Sequence, residues 1–379
     1  MAYPIRYART SDGVNIAYCE LGQGEPLIEL TALPWSHFGV GFGIPEAAAH
    51  PEALAAAVRL IVYDGRGTGL SDHGVTDLTL DGFARDIDAV ADAAGHARFA
   101  LYGSLDSTRV MIHYAARHPE RVTKLVLWLP SVSATRLRDD GLRAVTSLAA
   151  RNWELYIKTL SHAVIGGWDP ERAEFAAAYA AVMKNSIRQE EFGAFLQALH
   201  GHDVSADLPQ IEAPTLVLGR EGASAYTVPV VSEVAARIKD ARLVVLPGNW
   251  MLPCTDEQPT SNAATRPSNV IIEFMRGASP SERIRAADKN VLSAREIEVL
   301  SLLSAGKTNA EIADALVVAP ATASRHVHNI LNKLGMSRRA EAAAYAVRAG
   351  LSGAAREERG QRSEERDLSR APRAAISDG

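Results

Sequence analysis

Short apolar runs alternate with longer amphipathic stretches along the chain as far as about residue 275. Six of the runs, rich in Val, Ile and Leu, read as strands: Pro26 to Leu30, Val58 to Tyr63, Phe99 to Tyr102, Leu125 to Trp128, Pro214 to Leu218 and Arg242 to Leu246. Near-continuous apolar character suits strands covered on both faces, as in a parallel sheet. The intervening stretches, such as Gly82 to Ala94 and Thr108 to His118, have the helical period that crossovers need. An Ala-rich helical insert over about 135–205 separates the fourth of these strands from the fifth. It carries Trp153, Tyr156, Trp168, Phe175, Tyr179, Phe192 and Phe195. The pattern predicts an α/β domain over 1–275, with a mostly parallel sheet and a helical lid.

Beyond it the grammar changes. Residues 276–290 are polar, with Gly, Ser, Pro and mixed charge, and read as a linker. Residues 291–352 form a run of short amphipathic helices, and 353–379 carry many charges without apolar periodicity, as disordered tails do. Within 291–352 two capping boxes stand out, Ser293-Ala294-Arg295-Glu296 and Thr308-Asn309-Ala310-Glu311. The first opens a helix through Ser304 that Gly306 ends, and the second opens a helix through Leu316. After a short break Pro320 suits the first position of a third helix, through Leu334, because its missing N–H costs nothing there. That helix places Ala323, Val327, Ile330 and Leu334 on one face. Ala321, Ser324, Arg325, His328 and Asn332 lie on the other. Helix, short turn, helix with a polar outer face is the arrangement that sets a second helix into the DNA major groove.

Charge sharpens this picture. The whole chain of 379 residues has a formal net charge of -5, which excludes a histone-like polycation. Residues 276–352 nevertheless hold eleven Lys and Arg against seven Asp and Glu, a local net of +4. Hydrophobic residues make up 47% of the chain, enough to bury a core. The two cysteines, Cys19 and Cys254, are far apart and support no disulfide framework. No apolar run approaches the ~20 residues of a membrane span, and the first residues lack the apolar core of a signal peptide. The expectation is a cytoplasmic protein with no membrane partner, no cofactor and no metal site.

The stretch from Leu292 to Leu351 resembles the DNA-binding domain of LuxR-type regulators. Glu296, Gly306, Asn309, Ile312, Thr322, His326, Val327, Asn329, Lys333, Leu334 and Gly335 are all in place. The resemblance implies base-edge reading by Ser324, Arg325 and His328, with Arg325 the natural bidentate partner for guanine. It also implies phosphate contacts from Lys307, Thr322, Asn329, Lys333, Arg338 and Arg339. A fourth helix over about 338–350 commonly pairs with its copy, so a homodimer on double-stranded DNA is expected. Two positions depart from the family: Ala319 replaces a capping Ser, at a cost of about 1 kcal/mol, and Ala323-Ser324 replaces the common Val-Lys.

The first 275 residues resemble the α/β-hydrolase superfamily. The resemblance rests on Ile5 to Tyr18, on the Gly-rich YDGRGTGLSD loop (Tyr63 to Asp72), and on Tyr114 to Leu127 with its HPERV anchor. A working member carries its nucleophile in G-x-S-x-G, followed in chain order by an acid and a His. The anchor places that motif at Gly103-Ser104-Leu105-Asp106-Ser107, so Leu105 stands at the nucleophile position. Ala223 stands at the acid position and Met251 at the base position, and no histidine occurs between His202 and His326. Catalytic residues are therefore expected to be absent and the domain not to act as an enzyme. An apolar pocket under the lid is expected instead, lined by Trp35, His37, Phe38, Leu105, Asp106, Trp128, Trp153, Trp250 and Met251, to hold a small apolar effector. Two other readings stay open: a hydrolase with non-standard residues, using Ser104 or Ser107, and an effector-independent DNA-binding protein whose large domain serves assembly.

Overall fold

The structure, a computed structural model, describes residues 3–137, 140–166, 170–256, 265–277, 294–333, 339 and 342. The chain divides into two units, Met1–Arg276 and Gly277–Gly379.

The first unit is built on an eight-stranded sheet: β1 Arg6–Arg9, β2 Asn15–Leu21, β3 Pro26–Leu30, β4 Arg59–Tyr63, β5 Phe99–Ser104, β6 Val122–Trp128, β7 Thr215–Arg220 and β8 Ala241–Leu246. Their order is β1-β2-β4-β3-β5-β6-β7-β8. Only β1 with β2 and β2 with β4 run antiparallel; every later pair is parallel. All six strands expected from the apolar runs are present, with ends shifted by at most three residues. The sheet also has an antiparallel edge, β1 and β2, that no such run announces. β1 buries one residue of four, so its sequence lacks the double-sided burial that marks β3 to β7.

Helices cover both faces. They are α1 Phe38–Gly41, α2 Pro45–Ala55, α3 Leu80–Ala93, α4 Ser107–Arg117, the insert helices α5 Asp140–Thr146, α6 Trp153–Gly166, α7 Ala173–Ser186 and α8 Gln189–Gly201, then α9 Val228–Arg237 and α10 Pro267–Met275. Parallel neighbours need such crossovers because the chain must return to the same end of the sheet. Among the described residues, no helix is long and apolar enough to cross a membrane. The Gly-rich loop after β4 is fastened by Asp64. Its carboxylate accepts from the Ser36 hydroxyl at 2.7 Å, the Phe38 N–H at 3.0 Å and the Leu70 N–H at 2.9 Å. One buried carboxylate thus joins the loop after β4 to the loop after β3.

The second unit contains α11 Ala294–Ser304, α12 Asn309–Leu316 and α13 Pro320–Lys333. Their inner faces meet in one small core that includes Val299, Leu300, Leu303, Ile312, Ala323, Val327 and Ile330. Gly306, at φ +75°, carries the left-handed turn that stops α11, a conformation costly for a residue with a Cβ. The Thr308 capping box is complete: its hydroxyl accepts the Glu311 N–H at 3.3 Å, and Glu311 Oε2 accepts the Thr308 N–H at 2.8 Å. The Thr308 N–H, the Thr308 hydroxyl at 3.0 Å from the same Oε2, and Lys307 beside them pull the Glu311 carboxyl down to about 2. Ser293, most of the 276–290 linker, the expected fourth helix apart from Arg339 and Ala342, and the 353–379 tail lie outside the described residues.

Candidate functional site

In the first unit, β5 runs into α4 through Ser104, Leu105 and Asp106. Leu105 takes φ 55°, the left-handed region that a γ-branched residue rarely occupies, and its N–H donates to the Trp128 carbonyl at 2.9 Å. Gly103 has no room for a side chain, since a Cβ there would come within 2.8 Å of Met111 Cγ. The turn is thus the sharp strand-to-helix elbow, presenting a hydrocarbon side chain. Ser107 serves the backbone: its hydroxyl lies 2.9 Å from Leu30 O and 2.8 Å from Ser104 O, and accepts the Ser104 N–H at 2.8 Å.

Ala223, after β7, and Met251, after β8, are buried in the same apolar cluster as Leu105. The Met251 N–H donates to Val164 O at 3.2 Å, and its carbonyl accepts from the Trp128 indole at 2.7 Å. Trp128 therefore bonds through its carbonyl to Leu105 and through its ring to Met251. None of the three side chains can attack a carbonyl or carry a proton at neutral pH.

Several residues expected to line one apolar pocket are divided among other tasks. Trp128 is wholly buried in the core, with the Arg220 guanidinium 4.9 Å from its ring centroid. Trp250 is covered by Arg172, 3.6 Å from its ring centroid. Trp153 packs with Trp35, Tyr156 and Phe192, at centroid separations of 6.3, 5.5 and 5.2 Å, so the lid closes on Trp35 by ring-to-ring contact. Asp106 pairs with Arg109, whose guanidinium lies 2.5 Å from Asp106 Oδ1 and 3.0 Å from Ser131 Oγ. Burial, followed by the Asp106 charge, pushes the Tyr226 hydroxyl well up. The sequence pattern marks Asp106 but not the Arg109, Ser131 and Tyr226 that form a polar knot with it. Its one signal is an arginine among the apolar residues of Thr108 to Ala116.

The structure has a cavity of about 90 Å³ on the α2 side of the sheet. It gathers Trp35, His37 and Phe38 of the nine expected residues; Leu105, Asp106, Trp128, Trp153, Trp250 and Met251 are not among its walls. His37 also caps α1, accepting the Val40 N–H at 3.2 Å. The remaining wall is more polar than expected, because Glu29, Thr31, His50 and Ser104 face in. Register explains the grouping. Glu29 is opposite Val62 on β4 and Tyr102 on β5, so Glu29 and Thr31, two residues apart, share their face of the sheet. Glu29 is 5% exposed, and burial raises its carboxyl to about 7 against the opposing pull of His50. A near-continuous apolar run hides such a residue from periodicity.

In the second unit, Ser324, Arg325, His328 and Asn329 are exposed along α13, while Thr322 and His326 are half-buried. Ser324 Oγ accepts from Asn309 Nδ2 at 3.0 Å, and Asn309 Oδ1 accepts from Arg339 at 2.7 Å. Arg339 donates in addition to the Lys307 carbonyl, and Lys307 Nζ lies 3.2 Å from Glu311. Asn309 thus ties the start of α12 to α13, and Arg339 fastens Asn309 and the Lys307 carbonyl beside it. The Lys333 side chain and Arg338 lie outside the described residues, as does Trp168 of the lid.

Comparison with known proteins agrees with both units. Residues 290–346 match the family described as "Bacterial regulatory proteins, luxR family", and residues 43–156 match "alpha/beta hydrolase fold". Over 61 residues the chain is 48% identical to the transcriptional regulatory protein LnrK of Bacillus subtilis, covering 16% of this chain and 28% of LnrK. The chain thus spans less than a third of that regulator. Over 220 residues it is 27% identical to the putative carbamate hydrolase RutD of a Caulobacter strain, covering 52% of this chain and 75% of RutD. The bromoperoxidase of Bacillus anthracis superposes with a TM-score of 0.61 at 16% identity, over 72% of this chain and all of that one, which is a likeness of fold. The chain therefore carries a LuxR-family DNA-binding domain after an α/β-hydrolase-fold domain.

Proposed function

We propose that this chain, with its LuxR-type domain following a hydrolase-fold domain, is a transcriptional regulator whose larger domain holds a small effector without transforming it. The observation that carries the reading is Leu105. The elbow keeps its left-handed turn, yet the residue it presents has no nucleophilic atom. Ser107, the first hydroxyl on α4, is wholly buried and engaged with backbone, which leaves it no freedom to attack. Losing nucleophile, acid and base together is physically coherent, because a lone buried acid without its histidine would be an unpaired charge costing several kcal/mol.

On the DNA side, α13 would lie in the major groove of one half-site, and a homodimer would read two. Ser324, Arg325 and His328 would meet base edges, while Lys307, Thr322, Asn329, Lys333, Arg338 and Arg339 would meet phosphates. For an effector to switch the protein it must prefer one state. A ~10- to 100-fold preference supplies about 1.4 to 2.7 kcal/mol.

Two assays test the proposal. Selection from a random duplex pool should enrich a two-fold symmetric site. Arg325→Ala should weaken that site by about 1–3 kcal/mol and relax one base position in each half. Failure to enrich any site ends the regulator reading. Turnover of p-nitrophenyl butyrate should not exceed the buffer rate; a rate that Ser104→Ala abolishes would make the larger domain an enzyme.

A further inference from the structure

Glu29 is a carboxyl in the middle of a buried parallel strand, where an aliphatic side chain would ordinarily stand. Among the described residues nothing reaches its Oε2, or the hydroxyl of Thr31, within hydrogen-bonding distance. Both residues line the same cavity. Burying an unsatisfied acceptor costs roughly 1–3 kcal/mol, and more for a charged one. An unsatisfied carboxylate oxygen and an unsatisfied hydroxyl, which can accept as well as donate, therefore leave the cavity wall open to a guest that carries a donor.

The groups facing Glu29 narrow the chemistry of that donor. His50 approaches from α2, its Nε2 3.2 Å from the Tyr102 hydroxyl of β5. His37 comes from the loop before α1, Tyr179 from α7, and Cys254 from the turn after β8. Among the described residues no lysine or arginine lines the cavity, and Glu29 is the one carboxylic acid there. An ionised carboxylate can only accept hydrogen bonds, and in a water-poor interior its charge is best matched by a nearby cation. Trp35, Phe38, Phe42 and Tyr179 add ring surface, which attracts cations as well as apolar groups. At about 90 Å³ the cavity is well below the few hundred Å³ of drug-sized sites, so the guest is compact.

We propose that this cavity binds a small organic amine, its protonated nitrogen between Glu29 Oε2 and Thr31 Oγ1 and its apolar body against the aromatic wall. The proposal deepens the effector-sensing reading, and rests on it for what the binding would achieve.

The test is calorimetric titration of the full chain at pH 8 with n-butylamine and benzylamine, against n-butanol and benzyl alcohol. The expected result is saturable binding of at least one amine at a single site, with its matched alcohol at least tenfold weaker. Glu29→Gln should weaken the amine at least tenfold and leave the alcohol unchanged, and Thr31→Val should weaken it less. Amine affinity should also fall as the pH is lowered from 8 to 5, because Glu29 then takes up a proton; this arm stands even if a variant fails to fold. Equal affinity for amine and alcohol, affinity indifferent to both variants and to pH, or no saturable amine binding would each overturn the site. An effector that acts equally well on the Glu29→Gln protein would overturn the site and leave the sensor reading. Glu29-dependent amine binding that leaves DNA affinity unmoved would instead support the site and overturn the sensor reading.

Discussion

The buried carboxyl of Glu29 should make the stability of the hydrolase-fold unit fall as pH rises. In the unfolded chain its carboxyl titrates near 4.5; in the folded chain burial raises it to about 7. Between those values the folded state holds a proton that the unfolded state has released. Stability then declines with pH, because the unfolded state binds fewer protons. The contribution is fully present below about 4.5, is lost as pH climbs, and is gone above about 7. At 1.36 kcal/mol per pKa unit the whole effect is about 3 kcal/mol, most of which falls between pH 5 and pH 8. Glu29→Gln keeps the shape and removes the titration. Urea unfolding at pH 5, 6, 7 and 8 should therefore show the variant gaining on the wild type by that amount. Fluorescence is a suitable probe, since all five tryptophans lie in the first unit. A wild-type-to-variant difference that stays constant across this range would refute the assignment of a neutral buried acid.

Other substitutions test other parts of the framework. Asp106→Ala should destabilise the first unit by about 3 kcal/mol, because it strips the carboxylate partner from the fully buried Arg109 guanidinium; chemical denaturation measures it, and a loss below 1 kcal/mol would mean that Ser131 and the Leu199 carbonyl suffice to hold Arg109. Val317, a β-branched residue at φ 53° and 92% exposed, carries left-handed strain with little packing to offset it. Val317→Asn should stabilise the helix-turn-helix by about 1 kcal/mol, seen as slower amide exchange in α11 to α13 of the full chain. Thr308→Ala should cost about 1 kcal/mol by opening the capping box, with faster exchange in the same helices.

Much of this protein is written in local order along the chain. The double-sided burial of β3 to β7 leaves unbroken apolar runs, the Thr308 box states where α12 begins, and Gly306 states where α11 ends. Those signals act between neighbours, so the sequence by itself determined the two architectures, and it pointed to Leu105 by spacing from a downstream anchor. The antiparallel edge was harder to read because β1 buries a single residue. The destination of each aromatic ring was not legible at all. Trp35, Trp128, Trp153 and Trp250 look alike as sequence, and only packing sent Trp128 to the core, Trp153 onto Trp35 and Trp250 under Arg172. Tertiary structure alone also made a site of Glu29, since its meaning depends on β5, α2, α7 and the turn after β8 converging on one face of β3. Hydrogen-bond satisfaction is a property of that convergence, and no window of neighbouring residues contains it.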